Sequence, residues 1–165
     1  MIIRKMTEND CTEIGALYAA AWKKGYEGLL PKLFLDELSP QKYEERAPMN
    51  GFLDNGSFVI SDGQTIFGHC HARAADEEKM RGWGEIHTLY VHPNHWHKGY
   101  GTELIKYGTN WLRSQGFNDI YLYALIGNER AIKLYKKLGF TPNGDTLDCI
   151  IAGETVTDIR LIKHF

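Results

Sequence analysis

The chain of 165 residues is 43% apolar and 24% charged, with a formal net charge of −2, the proportions of a globular protein long enough to bury one sizeable core. No basic patch is interleaved with aromatics, and no apolar run approaches the length of a membrane span, so neither a nucleic-acid partner nor a membrane partner is expected. Met1-Ile2-Ile3-Arg4-Lys5 leads straight into polar residues without an apolar leader, and Cys11, Cys70 and Cys149 are odd in number and scattered; both features predict a cytoplasmic protein, a single domain over residues 1–165, with reduced, buried thiols.

Ile2 to Met6 reads as a first strand, and Thr7 with Asp10 three residues on has the form of a capping box opening a helix. Cys11, Ile14, Leu17, Tyr18, Ala21 and Trp22 give that helix its apolar face. Gly25, Tyr26 and Gly28 break it before Pro31, where a short second helix restarts. Trp22 and Tyr26 at this break either pad the core or wall a binding pocket. Ser39 or Pro40 to Ala47 is charged and predicts a surface helix, and Pro48 to Gly56 predicts a turn-rich connection. Phe58-Val59-Ile60 and Ile66 to Ala72 predict two strands joined across Asp62-Gly63, a hairpin signal. Glu77 to Gly82 reads as a polar loop; the acidic run Asp76-Glu77-Glu78 is either a solvated face or a site for a cationic ligand.

The stretch Gly84 to Leu104 states the chemistry. Ile86 to Val91 is β-branched and aromatic, and Pro93 closes it, so a strand ends near His92. From about Gly99 the spacing of Leu104, Ile105, Gly108, Trp111 and Leu112 is helical, with Gln115-Gly116 as the stop. A glycine-punctuated loop between strand and helix leaves the first helical N–H groups unpaired, and the helix dipole adds partial positive charge there, so an anion such as a pyrophosphate suits the place. The glycine spacing matches neither the Walker pattern nor the dinucleotide fingerprint. His92, His95 and His97 crowd the loop, but their spacing fits no metal motif and no metal is expected. Asp119 to Leu125 then reads as a buried parallel strand. Asn128 caps a helix with Ala131, Leu134, Tyr135 and Leu138 on one face, Lys136 and Lys137 in its last turn and Gly139 after it. Leu147 to Ile151 and Thr155 to His164 read as two antiparallel strands around Gly153. The fold class predicted is α/β: a mixed sheet flanked by helices, with a parallel pair at its centre and hairpins on either side.

The runs Leu89-Tyr90-Val91-His92-Pro93 and Lys98-Gly99-Tyr100-Gly101 resemble the acetyl-CoA-binding segment of the GNAT N-acetyltransferases, whose loop reads Gln/Arg-x-x-Gly-x-Gly/Ala. Trp96 stands where that family carries Gln or Arg, so backbone amides, Lys98 or the indole N–H must serve the phosphates. Asn128 to Phe140 resembles the family's Asn-x-x-Ala-x-x-Leu-Tyr-x-Lys-x-Gly-Phe signature. The resemblance implies a mostly antiparallel sheet, acetyl-CoA as cosubstrate without a metal, and cofactor contacts from Leu89, Tyr90, Val91, Trp96, His97, Lys98, Gly99, Tyr100, Gly101, Thr102, Asn128 and Tyr135. It implies direct attack by a bound primary amine, on a small molecule or a peptide, with dimers common among such enzymes. The acidic run points toward a small cationic acceptor, and Trp22 and Tyr26 are expected at the acceptor.

Acyl transfer to an amine needs a base, because an amine with a pKa of about 10 is scarcely nucleophilic at neutral pH; it also needs a polarised carbonyl and a proton donor for the thiolate. Tyr135 is expected to be the acid. Glu85 is the first choice for the base and His87, two residues on and on the same strand face, is the second. The alternative is a non-catalytic acyl-CoA-binding module of the same fold.

Overall fold

The computed structural model describes residues 1–46, 53 and 56–165, with the backbone alone at 45 and 46. The connection expected over Pro48 to Gly56 therefore lies outside the described residues, Leu53 and Gly56 apart. Seven strands, β1 (Ile2–Lys5), β2 (Ser57–Ser61), β3 (Ile66–Ala74), β4 (Gly84–Val91), β5 (Asp119–Leu125), β6 (Thr141–Ile151) and β7 (Glu154–His164), form one sheet in the order β1-β2-β3-β4-β5-β7-β6. Every neighbouring pair is antiparallel except β4 and β5. Among the described residues five α-helices, α1 (Cys11–Gly25), α2 (Lys32–Asp36), α3 (Pro40–Arg46), α4 (Tyr100–Ser114) and α5 (Glu129–Lys137), accompany the sheet. The α/β class and the central parallel pair thus follow the sequence.

Period 2 along the strands separates two packed layers. Cys70, Ala72, Ile86, Ile120, Leu122, Ala124 and Leu161 meet Leu104, Ile105 and Leu112 of α4 and Ile132 and Tyr135 of α5. Leu104, Ile105 and Leu112 are at most 1% exposed, and burial of each contributes roughly 1.5–3 kcal/mol. Val59 and Ile66 pack under Ile14, Leu17 and Tyr18 of α1 on the other face.

Helix ends follow local chemistry. The Asp10 carboxylate accepts from the backbone N–H and hydroxyl of Thr7 and from Arg4, turning the chain through a short 3-10 turn into α1. The Asn128 side chain accepts from the Ala131 N–H at 3.3 Å. At the other end of α5 the N–H groups of Gly139 and Phe140 return to Lys136 O and Tyr135 O, a Schellman closure with Phe140 1% exposed.

Two expectations are corrected. β6 begins at Thr141, six residues before Leu147, because the turn-like Asn143-Gly144-Asp145 is a bulge inside the strand: the pairing with β7 slips between Pro142 and Thr146. Cys149 is half-buried, since β6 is the edge strand and shows most of its length to solvent, whereas Cys11 and Cys70 are buried.

Candidate active site

β4 and β5 share only two pairs, Gly84 with Ile120 and Glu85 with Tyr121. Beyond them β4 stays on β3 as far as Val91, and β5 stays on β7 as far as Leu125, so the two central strands diverge. The departure starts at a bulge. Thr88 faces His71 and Ile86 faces Ala72, which leaves His87 as an extra residue in β4; such an insertion bends the strand and resets its faces. Ile86 and Leu89 consequently both sit on the α4–α5 side, while Thr88 and Tyr90 meet Tyr18 of α1.

The divergence opens a cleft of about 440 Å³ lined from both layers. On the α4–α5 side it is walled by Leu89, Val91, Trp96, His97, Gly99, Tyr100, Gly101, Thr102, Asn128, Ala131, Leu134 and Tyr135; on the α1 side by Trp22, Tyr26, Leu30, Thr88, Tyr90, Tyr123, Leu125 and Asp158. All the expected cofactor residues but Lys98 line it, as do both expected acceptor residues. Lys98 is exposed outside the wall.

The head of α4 has the form of an anion cradle. Its N-cap, Gly99, sits at φ 86° and no side chain caps the first turn, so the N–H groups opening the helix have no side-chain acceptor. At Gly101 a Cβ would stand 3.2 Å from Leu134 Cδ2, so α4 and α5 pack closely here and a larger residue would make the leucine give way. The Trp96 indole N–H, one of the groups expected to serve the phosphates, is engaged within the chain, donating to Val91 O at 2.7 Å. Its ring carries the Arg130 guanidinium 3.3 Å above its centre, placing a cation beside the cleft that the sequence pattern did not suggest. His92, His95 and His97 do not converge as a metal set. His95 stacks on Phe67 at 4.3 Å and, like His97, lines the cleft, and no group of three or more potential ligands forms among the described residues.

Tyr135 projects from α5 toward the divergence, 7% exposed, with no hydrogen-bond partner for its hydroxyl among the described residues. Burial pushes its phenol far above the ordinary value, so it stays protonated. Glu85 and His87 form a pair rather than alternatives. Glu85 is 6% exposed and does not line the cleft. Its carboxylate takes Arg73 Nε at 2.7 Å on one oxygen and His87 Nδ1 at 3.1 Å on the other. Burial works to raise its pKa, but the His87 and Arg73 contacts outweigh it and the net shift is downward. A carboxylate only accepts, so Nδ1 of His87 carries the proton it donates to Glu85, which leaves Nε2 as the ring nitrogen outside that contact, on a residue that lines the cleft.

Beneath Thr88 lies a buried polar chain. Tyr18 hydroxyl donates to Thr88 Oγ1 at 3.1 Å and meets His69 Nδ1 at 2.9 Å, and His69 Nε2 meets Ser57 Oγ at 2.6 Å. Burial drives the His69 pKa down to about 3. The acidic run does not reach the cleft: Asp76 pairs with Arg73, and Glu77 with Tyr123 and Arg160.

A family model described as the Acetyltransferase (GNAT) family matches residues 22–140. The uncharacterized N-acetyltransferase YuaI of Bacillus subtilis is 21% identical over 131 residues, 79% of this chain and 75% of its own length. A mycothiol acetyltransferase of Propionibacterium freudenreichii is 35% identical over 105 residues, 63% of this chain but 33% of that protein, so the chain spans about a third of this relative. Among solved structures, the PaiA N-acetyltransferase of Thermoplasma acidophilum in complex with coenzyme A superposes with a TM-score of 0.76 at 20% identity, covering 99% of this chain and 98% of that one; at that identity the likeness concerns the fold.

Proposed function

The chain belongs to the GNAT acetyltransferase family, and from that premise we propose that it is an acetyl-CoA-dependent N-acetyltransferase, a single domain in which a bound primary amine attacks the thioester directly. The observation that carries this reading is the divergence of β4 from β5 at the His87 bulge, which brings an uncapped helix head, a neutral phenol and an imidazole to one cleft.

The residues present fit coenzyme A. The open amides at Tyr100, Gly101 and Thr102 suit its pyrophosphate, and the β4 edge freed from β5 offers backbone groups to an extended pantetheine. Acetyl-CoA supplies an activated acetyl group. His87 Nε2 takes the proton from the incoming ammonium, with Glu85 fixing the tautomer and steadying the charge that results. Main-chain N–H groups of Leu89 to Val91 that point toward β5 polarise the carbonyl. Tyr135 donates to the sulfur as negative charge builds there. Glu85 thus acts as a positioning residue and His87 as the base. No cysteine lies in the cleft wall, which favours direct attack over an acetyl-enzyme route.

The test is thiol release from acetyl-CoA across a panel of amines, for the parent and Tyr135→Phe. The expected loss for the variant is on the order of a hundredfold in kcat, with acetyl-CoA affinity kept. Parent-like turnover by Tyr135→Phe would reject Tyr135 as the acid, and acetyl-CoA binding without thiol release from any amine would favour a binding module.

A further inference from the structure

Sheet register places Asp158 on the acceptor side of the cleft. On β7, Ile159 and Leu161 pair with Ala124 and Leu122, which pack toward α4 and α5. Asp158, opposite Leu125, therefore faces α1, where Leu125 packs with Leu30, Tyr26 and Ile151. There it lines the cleft beside Tyr26. Other carboxylates on this face are answered: Glu85 by Arg73 and His87, Glu77 by Arg160 and Tyr123, Asp145 by Arg160. Asp158 has no hydrogen bond or ion pair among the described residues; the wall around it is largely aromatic and aliphatic, and the cation that shares the cleft, Arg130, is held over the Trp96 ring. A half-buried carboxylate without a counter-charge is costly in such a place. Trp22 and Tyr26, edge to face at 4.8 Å, add ring surfaces of the kind that attract cations.

We propose that Asp158 is the specificity residue for the acceptor, anchoring a second ammonium, one that stays protonated, of an α,ω-diamine or longer polyamine whose free end is presented to His87. This rests on the acetyltransferase reading and gives it a substrate class. One nitrogen must lose its proton to attack, while a second must keep its own to be held. Asp158 stands on β7 and His87 on β4, two places apart in the sheet order with the divergence between them, so the two ends are gripped separately. The negative charge that the sequence located at Asp76-Glu77-Glu78 is supplied to the cleft from β7 instead. Asp158 is also electrostatically coupled to this wall: burial raises its pKa, and its charge is felt by the Tyr26 phenol.

The test compares alkane-α,ω-diamines of three to eight carbons with n-alkylamines of matching length. Binding is measured by titration calorimetry on the CoA-saturated protein, and thiol release is measured in parallel, for the parent and for the isosteric Asp158→Asn. The parent is expected to bind its best diamine at least tenfold more tightly than the matching monoamine, and Asp158→Asn to bring the two within about threefold. A parent without that preference, or a preference that survives in a folded Asp158→Asn, overturns the proposal; the parent measurement alone decides it if the variant does not fold. Asp158-dependent diamine binding with no thiol release leaves the anchor standing and removes the transferase reading. Equal kcat/KM for diamines and monoamines keeps the transferase and removes the anchor.

Discussion

Acidification should destabilise the fold as a whole through the buried chain beneath Thr88. His69 is 0% exposed, lies between Tyr18 and Ser57, and has its pKa lowered from 6.5 to about 3 by burial. Between those values the unfolded chain binds a proton that the folded one refuses, so stability rises with pH and is lost as pH falls below 6.5. Each unit costs about 1.4 kcal/mol, and at pH 5 the loss amounts to about 2 kcal/mol, or roughly 4–8 °C in Tm for a chain of this size. The perturbation is His69→Gln, which removes the titrating ring; the assay is urea unfolding at pH 7.5 and pH 5, followed by fluorescence. The parent should exceed the variant at pH 7.5 because the Tyr18 and Ser57 contacts are weakened, and that margin should shrink by about 2 kcal/mol at pH 5. A margin that stays constant, or grows, would refute the argument that a neutral imidazole is locked beneath β4.

Other outcomes follow from the cleft. Glu85→Gln should lower kcat by roughly ten- to a hundredfold through the loss of the fixed His87 tautomer, and His87→Ala by at least as much, with the double variant no worse than the worse single, measured by thiol release; additive losses would separate the two residues. Trp96→Phe keeps a ring under Arg130 but deletes the donor to Val91 O, and should cost about 1 kcal/mol in unfolding free energy; Trp96→Ala also loses the cation–π contact and should cost about 1 kcal/mol more. Gly99→Ala meets a backbone at φ 86° and should destabilise by about 1–2 kcal/mol while weakening CoA binding, read by thermal unfolding with and without ligand.

What could be read from the sequence was what neighbours in the chain decide. The cap at Asn128, the stop at Gly139, the apolar face of α4 and the glycines of the cradle are each fixed within a few residues, and each is found in place. What could not be read depends on a partner strand. His87 is an extra residue only because β3 pairs around it, and Glu85 looked like a rival to His87 because two residues apart on a strand says nothing of a carboxylate turned inward to Arg73. Asn143-Gly144-Asp145 has the composition of a turn and becomes a bulge because β7 continues alongside. Asp158 was one polar residue in an alternating strand until the register showed which face it shares with Leu125. The indole of Trp96 hydrogen-bonds backwards to Val91, a partner that its place in the loop motif does not disclose.

Because the opening between β4 and β5 is lined from both layers of the protein, the proposed reaction would give each substrate its own side. In that reaction the thioester docks on the α5 side while the amine arrives past α1, and neither need wait for the other to leave. Steady-state lines at several fixed amine concentrations should therefore intersect in a double-reciprocal plot, and free CoA should compete with acetyl-CoA without competing with the amine.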